Sequence, residues 1–133
     1  GTGSGYQAAV LAELVAEVFT IEIIEPLAKR AVDTLRRLGY RNVLLRLGDG
    51  SGGWPEAAPF DGVIVTCAPE QIPPPLVAQL KDGGRLLIPV GPLGDQQLFV
   101  YQKHLERLVE LATYPVRFVP MTGAVQQGSR PRL

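Results

Sequence analysis

The sequence predicts an α/β protein with an open, doubly wound, mostly parallel sheet and an antiparallel hairpin at its C-terminal edge. Short apolar segments rich in β-branched residues alternate with helical patterns over residues 7–90, which is typical of a parallel sheet with crossover helices. Two more strand patterns follow each other across a polar turn between residues 98 and 114, as in a hairpin. Ligands of such folds bind at the carboxyl ends of the strands.

The individual elements follow from local patterns. Residues 18–24 are short, β-branched and aromatic, which indicates a buried strand. Pro26 suits a first helical turn, Gly39 suits the end of that helix, and residues 82–84 (Asp-Gly-Gly) indicate a turn. The predicted helices are 7–17, 26–38 and 73–80; the predicted strands are 18–24, 43–47, 60–66, 85–90, 98–102 and 108–114, with a last extended segment at 116–119.

Composition limits the classes of partner. The chain has 133 residues, about one domain, which we place at residues 1–122 with a polar and mobile tail at 123–133. Its 13 basic and 13 acidic residues balance, so we expect no nucleic-acid partner. No apolar run reaches the ~18 residues of a spanning helix, so no membrane partner is expected. One cysteine, Cys67, suits a cytoplasmic location, and one histidine leaves no basis for a metal site.

Three features are predicted to lie at the carboxyl ends of successive strands. They are the glycine-rich turn Gly1–Gly5, the acidic residue Glu22, and the turn Gly48–Gly50. A glycine turn before a helix offers unpaired backbone N–H groups and close backbone approach. An acidic residue about 20 residues beyond such a turn is placed to accept hydrogen bonds from ribose hydroxyls. Asp49 would then reach the edge of an adenine base.

The sixth residue separates two classes of ligand. A dinucleotide-binding turn has the pattern G-x-G-x-x-G, whereas this chain has G-x-G-x-G followed by Tyr6. That difference disfavours NAD and favours S-adenosylmethionine, which has adenine and ribose without a pyrophosphate.

Several longer motifs carry a family resemblance over residues 1 to about 122. They are Gly-Thr-Gly-Ser-Gly-Tyr at 1–6, Gly-Asp-Gly at 48–50, Ala-Pro-Phe-Asp-Gly-Val-Ile-Val-Thr at 58–66, Ala-Pro at 68–69, Leu-Lys-Asp-Gly-Gly-Arg-Leu-Leu-Ile-Pro-Val-Gly at 80–91 and Val-Arg-Phe-Val-Pro-Met at 116–121. In this order the motifs resemble the protein-L-isoaspartate O-methyltransferase family, which has a Rossmann-like fold and uses S-adenosyl-L-methionine.

The resemblance implies cofactor-binding roles for seven residues. Gly1, Gly3 and Ser4 would border the methionine moiety and ribose, Glu22 would hold the ribose hydroxyls, Asp49 with Gly50 would meet the adenine, and Thr122 would close over the cofactor. No catalytic residue can be named, because the family's substrate-contacting hydroxyl residue belongs to a part that precedes Gly1. The family's N-terminal helices and first central strand also belong to that part and are missing here.

The implied activity is methyl transfer to the carboxyl group of L-isoaspartyl residues in damaged proteins, a repair reaction, by an enzyme that is monomeric when full length. Two alternatives remain open. The chain could be a class I methyltransferase of another substrate, because the substrate loop is absent. It could also be a non-catalytic fragment or pseudoenzyme that needs a partner chain, because the missing strand would lie between the strands that end at Glu22 and Thr66. In that case the 133 residues alone would bind S-adenosylmethionine weakly.

Overall fold

The computed structural model describes residues 1–127, which form two compact units. The first unit is Gly1–Gly50 and the second begins at Ser51. None of the helices found in the described residues is long and apolar enough to span a membrane.

The first unit is a helix followed by a β-α-β unit. Its elements are α1 (Tyr6–Ala12), β1 (Val18–Glu22), α2 (Glu25–Arg37) and β2 (Val43–Leu47). The two strands pair in parallel, from Val18 opposite Val43 to Glu22 opposite Leu47, with α2 as the crossover. The side chains buried between these elements are Ala8, Val18, Ala28, Ala31 and Leu35. Gly39 has a φ of 85°, which confirms its predicted place just beyond the end of α2.

Helix α1 is shorter than the pattern over residues 7–17 predicts, because side chains from the segment after α2 bind where it ends. The Asn42 amide Nδ2 donates hydrogen bonds to the carbonyl oxygens of Ala12, at 2.9 Å, and Val15, at 3.3 Å. The Tyr40 hydroxyl donates to the Glu13 carboxylate, and this bond raises the pKa of Tyr40. The two Asn42 bonds satisfy backbone carbonyl groups at and just beyond the end of α1.

We expect Asn42→Ala to lower the free energy of unfolding by about 1–2 kcal/mol, since two hydrogen bonds to helix-end carbonyls are lost. Urea denaturation of the full-length gene product measures the change. Arg41→Ala is the control, because Arg41 is the exposed neighbour of Asn42. Equal changes in the free energy of unfolding of the two variants would show that Asn42 does not cap α1.

Strand β1 ends at Glu22 instead of extending to residue 24 as predicted. The Glu22 carboxylate oxygen Oε2 accepts hydrogen bonds from its own neighbours, Ile23 N at 2.9 Å and Ile24 N at 3.2 Å. These bonds turn the chain out of the strand and into α2 at Glu25. Strand β2 matches its predicted bounds of 43–47.

The second unit contains a four-stranded sheet. Its elements are β3 (Phe60–Ile64), α3 (Pro74–Ala78), β4 (Leu80–Val90), β5 (Gln96–His104), β6 (Arg107–Val116) and α4 (Ala124–Gln127). The strand order is β3-β4-β5-β6, with β3 and β4 parallel and the other pairs antiparallel, which confirms the predicted C-terminal hairpin. Its core consists of Val65, Leu76, Leu80, Leu86, Ile88 and Met121.

Two expectations for this unit need correction. The predicted turn at 82–84 does not begin a new strand: β4 already pairs at Leu80, opposite Phe60, and resumes at Arg85, so the turn is an irregularity inside one strand. The predicted segment at 116–119 makes no strand of its own beyond β6; a single parallel bridge joins Ala68 to Pro120. The domain bounds 1–122 and the polar tail at 123–133 stay predictions; α4 lies within that tail, and residues 128–133 lie outside the described residues.

The strands of the described residues form a two-stranded sheet, β1-β2, and a separate four-stranded sheet. The α/β class, the parallel pairs and the antiparallel edge are those predicted. The additional strand expected between β1 and β3 stays a prediction.

Candidate cofactor site at the carboxyl ends of the first two strands

The opening glycine turn has the backbone conformation that its composition predicts. Gly3 and Gly5 have φ values of 58° and 88°, in the left-handed region that favours glycine. Gly5 is the N-cap of α1 and accepts the first helical hydrogen bond, from Ala9 N at 2.9 Å. A Cβ atom on Gly5 would lie 3.4 Å from the Leu35 side chain, so Gly5 also lets α1 approach α2.

Glu22 connects the end of β1 to the glycine turn. Its oxygen Oε1 accepts a hydrogen bond from Gly3 N at 2.7 Å, while Oε2 is bound by the two amides that follow Glu22. The residue is only 4% exposed, and a buried carboxylate needs such donors. A carboxylate oxygen accepts about two hydrogen bonds, so Oε1 keeps one acceptor position beside the turn.

Thr2 is a further residue of the candidate site, and none of the motifs in the sequence indicated it. Its hydroxyl hydrogen-bonds the Thr20 hydroxyl at 2.7 Å, and its backbone N donates to Ile21 O at 3.1 Å. Together these bonds fasten the turn to β1. Thr20 precedes Glu22 by two residues, so the period of a strand places both side chains on one face. That periodicity is the signal that could have identified the threonine pair.

The turn after β2 lies beside the same strand end. Gly48 N donates to the backbone oxygen of Glu22 at 2.9 Å, and a Cβ on Gly50 would lie 3.9 Å from Ile21 Cβ. Asp49 is half-buried between these two glycines. The structure therefore brings the three predicted features together at the carboxyl end of β1 and β2.

The seven predicted cofactor residues fall in both units. Gly1, Gly3, Ser4, Glu22, Asp49 and Gly50 belong to the first unit, where Gly1 and Ser4 are exposed. Thr122 belongs to the second unit and is exposed, directly after the buried Met121. The contacts of these residues with a cofactor stay predictions. Within the described residues, no group of three or more His, Cys, Asp or Glu side chains is placed to hold a metal ion.

Solved structures of similar fold define the class of protein. One described as a protein-L-isoaspartate O-methyltransferase superposes with a TM-score of 0.88 at 33% identity, covering 94% of this chain and 41% of that one. Another, from Plasmodium falciparum, is proposed to be such an enzyme and holds S-adenosyl-L-homocysteine. It superposes with a TM-score of 0.74 at 22% identity, covering 92% of this chain and 63% of that one. The fold is that of the Rossmann-like, S-adenosylmethionine-dependent methyltransferases.

Residues 1–126 match the family model described as protein-L-isoaspartate (D-aspartate) O-methyltransferase. The chain belongs to this family. It is 58% identical over 123 residues to the protein-L-isoaspartate O-methyltransferase of Gloeobacter violaceus, covering 92% of this chain and 60% of the relative. It is 56% identical over 128 residues to that of Opitutus terrae, covering 92% of this chain and 53% of the relative. The chain thus spans little more than half the length of these relatives.

Proposed function

We propose that this chain forms the cofactor-binding part of an enzyme that transfers a methyl group from S-adenosyl-L-methionine to the carboxyl group of L-isoaspartyl residues in damaged proteins. The observation that carries the proposal is the contact between Glu22 and Gly3. It holds an acidic side chain and a glycine turn at one strand end, as recognition of a ribose requires. The family match supports the same reaction.

The residues of the first unit fit the proposed cofactor. Glu22 Oε1 has an acceptor position for a ribose hydroxyl, and the left-handed glycines leave the turn without Cβ atoms on that backbone. Asp49 and Gly50, in the adjoining turn, would contact the adenine edge, and Thr122 is the remaining proposed cofactor contact. When bound, S-adenosylmethionine supplies a methyl group that is activated by the positive sulfur.

The proposed reaction requires the protein mainly to position the methyl acceptor and the cofactor. An unperturbed aspartyl carboxyl group has a pKa of about 3.9, so the methyl acceptor is ionised at neutral pH and needs no general base. The protein must align the carboxylate oxygen, the methyl carbon and the sulfur, and must exclude water. Positioning of this kind contributes about 7–11 kcal/mol in favourable cases.

The test is methyl-ester formation on an isoaspartyl peptide with isotopically labelled S-adenosylmethionine, using the full-length gene product. We expect ester on the isoaspartyl peptide and none on the same peptide with ordinary aspartate. Ester formation should fall at least about tenfold in Glu22→Gln, since the displaced glycine turn weakens cofactor binding.

Glu17→Gln provides the matched control, because Glu17 is exposed and lies outside the site. Tight binding of S-adenosylmethionine without ester on the isoaspartyl peptide would assign the chain to a methyltransferase of another substrate. If the protein neither binds S-adenosylmethionine nor forms ester on the isoaspartyl peptide, the proposal is contradicted.

The proposed setting follows from the same reaction. Isoaspartyl-containing proteins and peptides are the proposed partners, and we propose that the full-length enzyme acts as a monomer in the cytoplasm. The single cysteine, Cys67, suits that reducing compartment.

A further inference from the structure

One buried polar side chain belongs to the second unit and to none of the segments of the candidate cofactor site. The buried polar residues among those described are Thr2, Glu22, Ser51 and Gln96. The first three belong to the glycine turn, to the end of β1 or to the segment directly after Gly50. Gln96 is the first residue of β5 and is 5% exposed. A buried amide forms its hydrogen bonds inside the protein, so its partners identify what it holds.

Both ends of the Gln96 amide bind the backbone of a single residue, Phe118. Phe118 N donates to Gln96 Oε1 at 2.6 Å, and Gln96 Nε2 donates to Phe118 O at 3.1 Å. Two bonds to one residue determine both the position and the direction of the chain there. Phe118 lies beyond the last residue of β6, Val116, so strand pairing no longer guides this part of the chain.

Backbone hydrogen bonds hold the segment after Phe118 at Val119 and at Met121. Ala68 N donates to Val119 O at 2.8 Å, and Met121 N donates to Ala68 O at 2.8 Å. The Met121 side chain is buried in the core of the second unit. Thr122 comes next and is exposed. The course of the chain into Thr122 is therefore set by Gln96 first, and then by Ala68 and the core.

We infer that Gln96 is a positioning residue, which holds the Phe118–Thr122 segment and thereby determines where Thr122 lies. The consequence for the cofactor rests on the proposed function, in which Thr122 closes over S-adenosylmethionine. Gln96 acts through Phe118, because its side chain is buried and both of its polar atoms bind that residue.

Two variants separate the two hydrogen bonds. Gln96→Met keeps the length of the side chain and removes both bonds. Gln96→Glu keeps the acceptor for Phe118 N but places an oxygen against Phe118 O. The controls are Gln97→Met and Gln97→Glu, because Gln97 is the neighbouring residue in the same strand and is exposed. All variants are made in the full-length gene product.

In Gln96→Met we expect the amides of Phe118 and Met121 to exchange with solvent about tenfold faster. The amides of Leu86 and Ile88, whose side chains are fully buried in the same unit, should keep their rates. The dissociation constant for S-adenosylmethionine, measured by calorimetry, should rise about tenfold. In steady-state assays KM should change more than kcat. Gln96→Glu should change these quantities at least as much as Gln96→Met, because its buried carboxylate oxygen faces the carbonyl oxygen of Phe118.

Equal acceleration of exchange at Leu86 and Ile88 would show that Gln96 only stabilises the unit, and would overturn the inference. Unchanged exchange at Phe118 and Met121 would overturn it as well, and so would unchanged cofactor binding in Gln96→Met. If the unchanged protein binds no S-adenosylmethionine, the proposed function fails, and the exchange rates alone decide whether Gln96 positions the segment.

Discussion

Replacing Glu22 by Gln should lower the free energy of unfolding by about 3 kcal/mol, because a buried carboxylate that serves three backbone amides loses its charge and one acceptor oxygen. The amide NH2 group of the variant would face either Gly3 N or the amides of Ile23 and Ile24. In each case a buried donor is left opposite another donor. Such groups cost about 1–3 kcal/mol each when they are left unsatisfied.

Urea denaturation measures this loss, with Glu17→Gln as the exposed control, which should stay within about 0.5 kcal/mol of the unchanged protein. If Glu22→Gln kept full stability, the Glu22 carboxylate would not be what holds the glycine turn. Stability and cofactor affinity can be read separately, because denaturation is followed without S-adenosylmethionine.

We expect Gly91→Ala to be the other strongly destabilising substitution and to lower the free energy of unfolding by about 3–5 kcal/mol. Gly91 directly follows β4 and has a φ of 130°, a conformation that L side chains rarely adopt. A Cβ atom there would overlap the carbonyl oxygen of Asp95 and lie 3.2 Å from Gln96 Cα. Both neighbours are backbone atoms, so no side-chain rotation relieves the overlap.

Gly94→Ala is the matched control for this prediction. Gly94 also has a positive φ, 89°, but a Cβ there would meet no atom within 4 Å. Gly94→Ala should therefore lower the free energy of unfolding only through the unfavourable backbone conformation, by about 1–2 kcal/mol. Thermal or urea unfolding compares the two variants. Similar losses would mean that the turn after Gly91 can shift to accommodate a side chain.

Local patterns predicted most of the elements correctly because each depends on neighbouring residues. The alternation of strands and helices, the strand at 43–47, the glycine after α2 and the C-terminal hairpin all follow from propensity and turn chemistry. Two of the errors arise from contacts between segments that are distant along the chain. Asn42 binds the end of α1, and β3 pairs with β4 on both sides of the turn at 82–84.

Part of the candidate site could likewise be predicted from the sequence, and part of it could not. The order of the glycine turn, Glu22 and the turn around Asp49 indicated a cofactor site and a family, because the spacing along the chain reflects the succession of strand ends. The sequence patterns did not indicate the long-range bonds that the structure shows. Thr2 with Thr20, and Gln96 with Phe118, join residues that are 18 and 22 positions apart.

The sequence by itself therefore determined the α/β class, the family and the set of candidate cofactor residues, since these depend on residue type and order. Only the tertiary structure decided which polar groups are buried and what they hold. Glu22 shows the difference: its residue type predicted a ligand contact, whereas its burial and its three backbone donors show that it also holds the glycine turn in place. The burial of a single polar side chain depends on all the elements that surround it, and the local patterns did not indicate it.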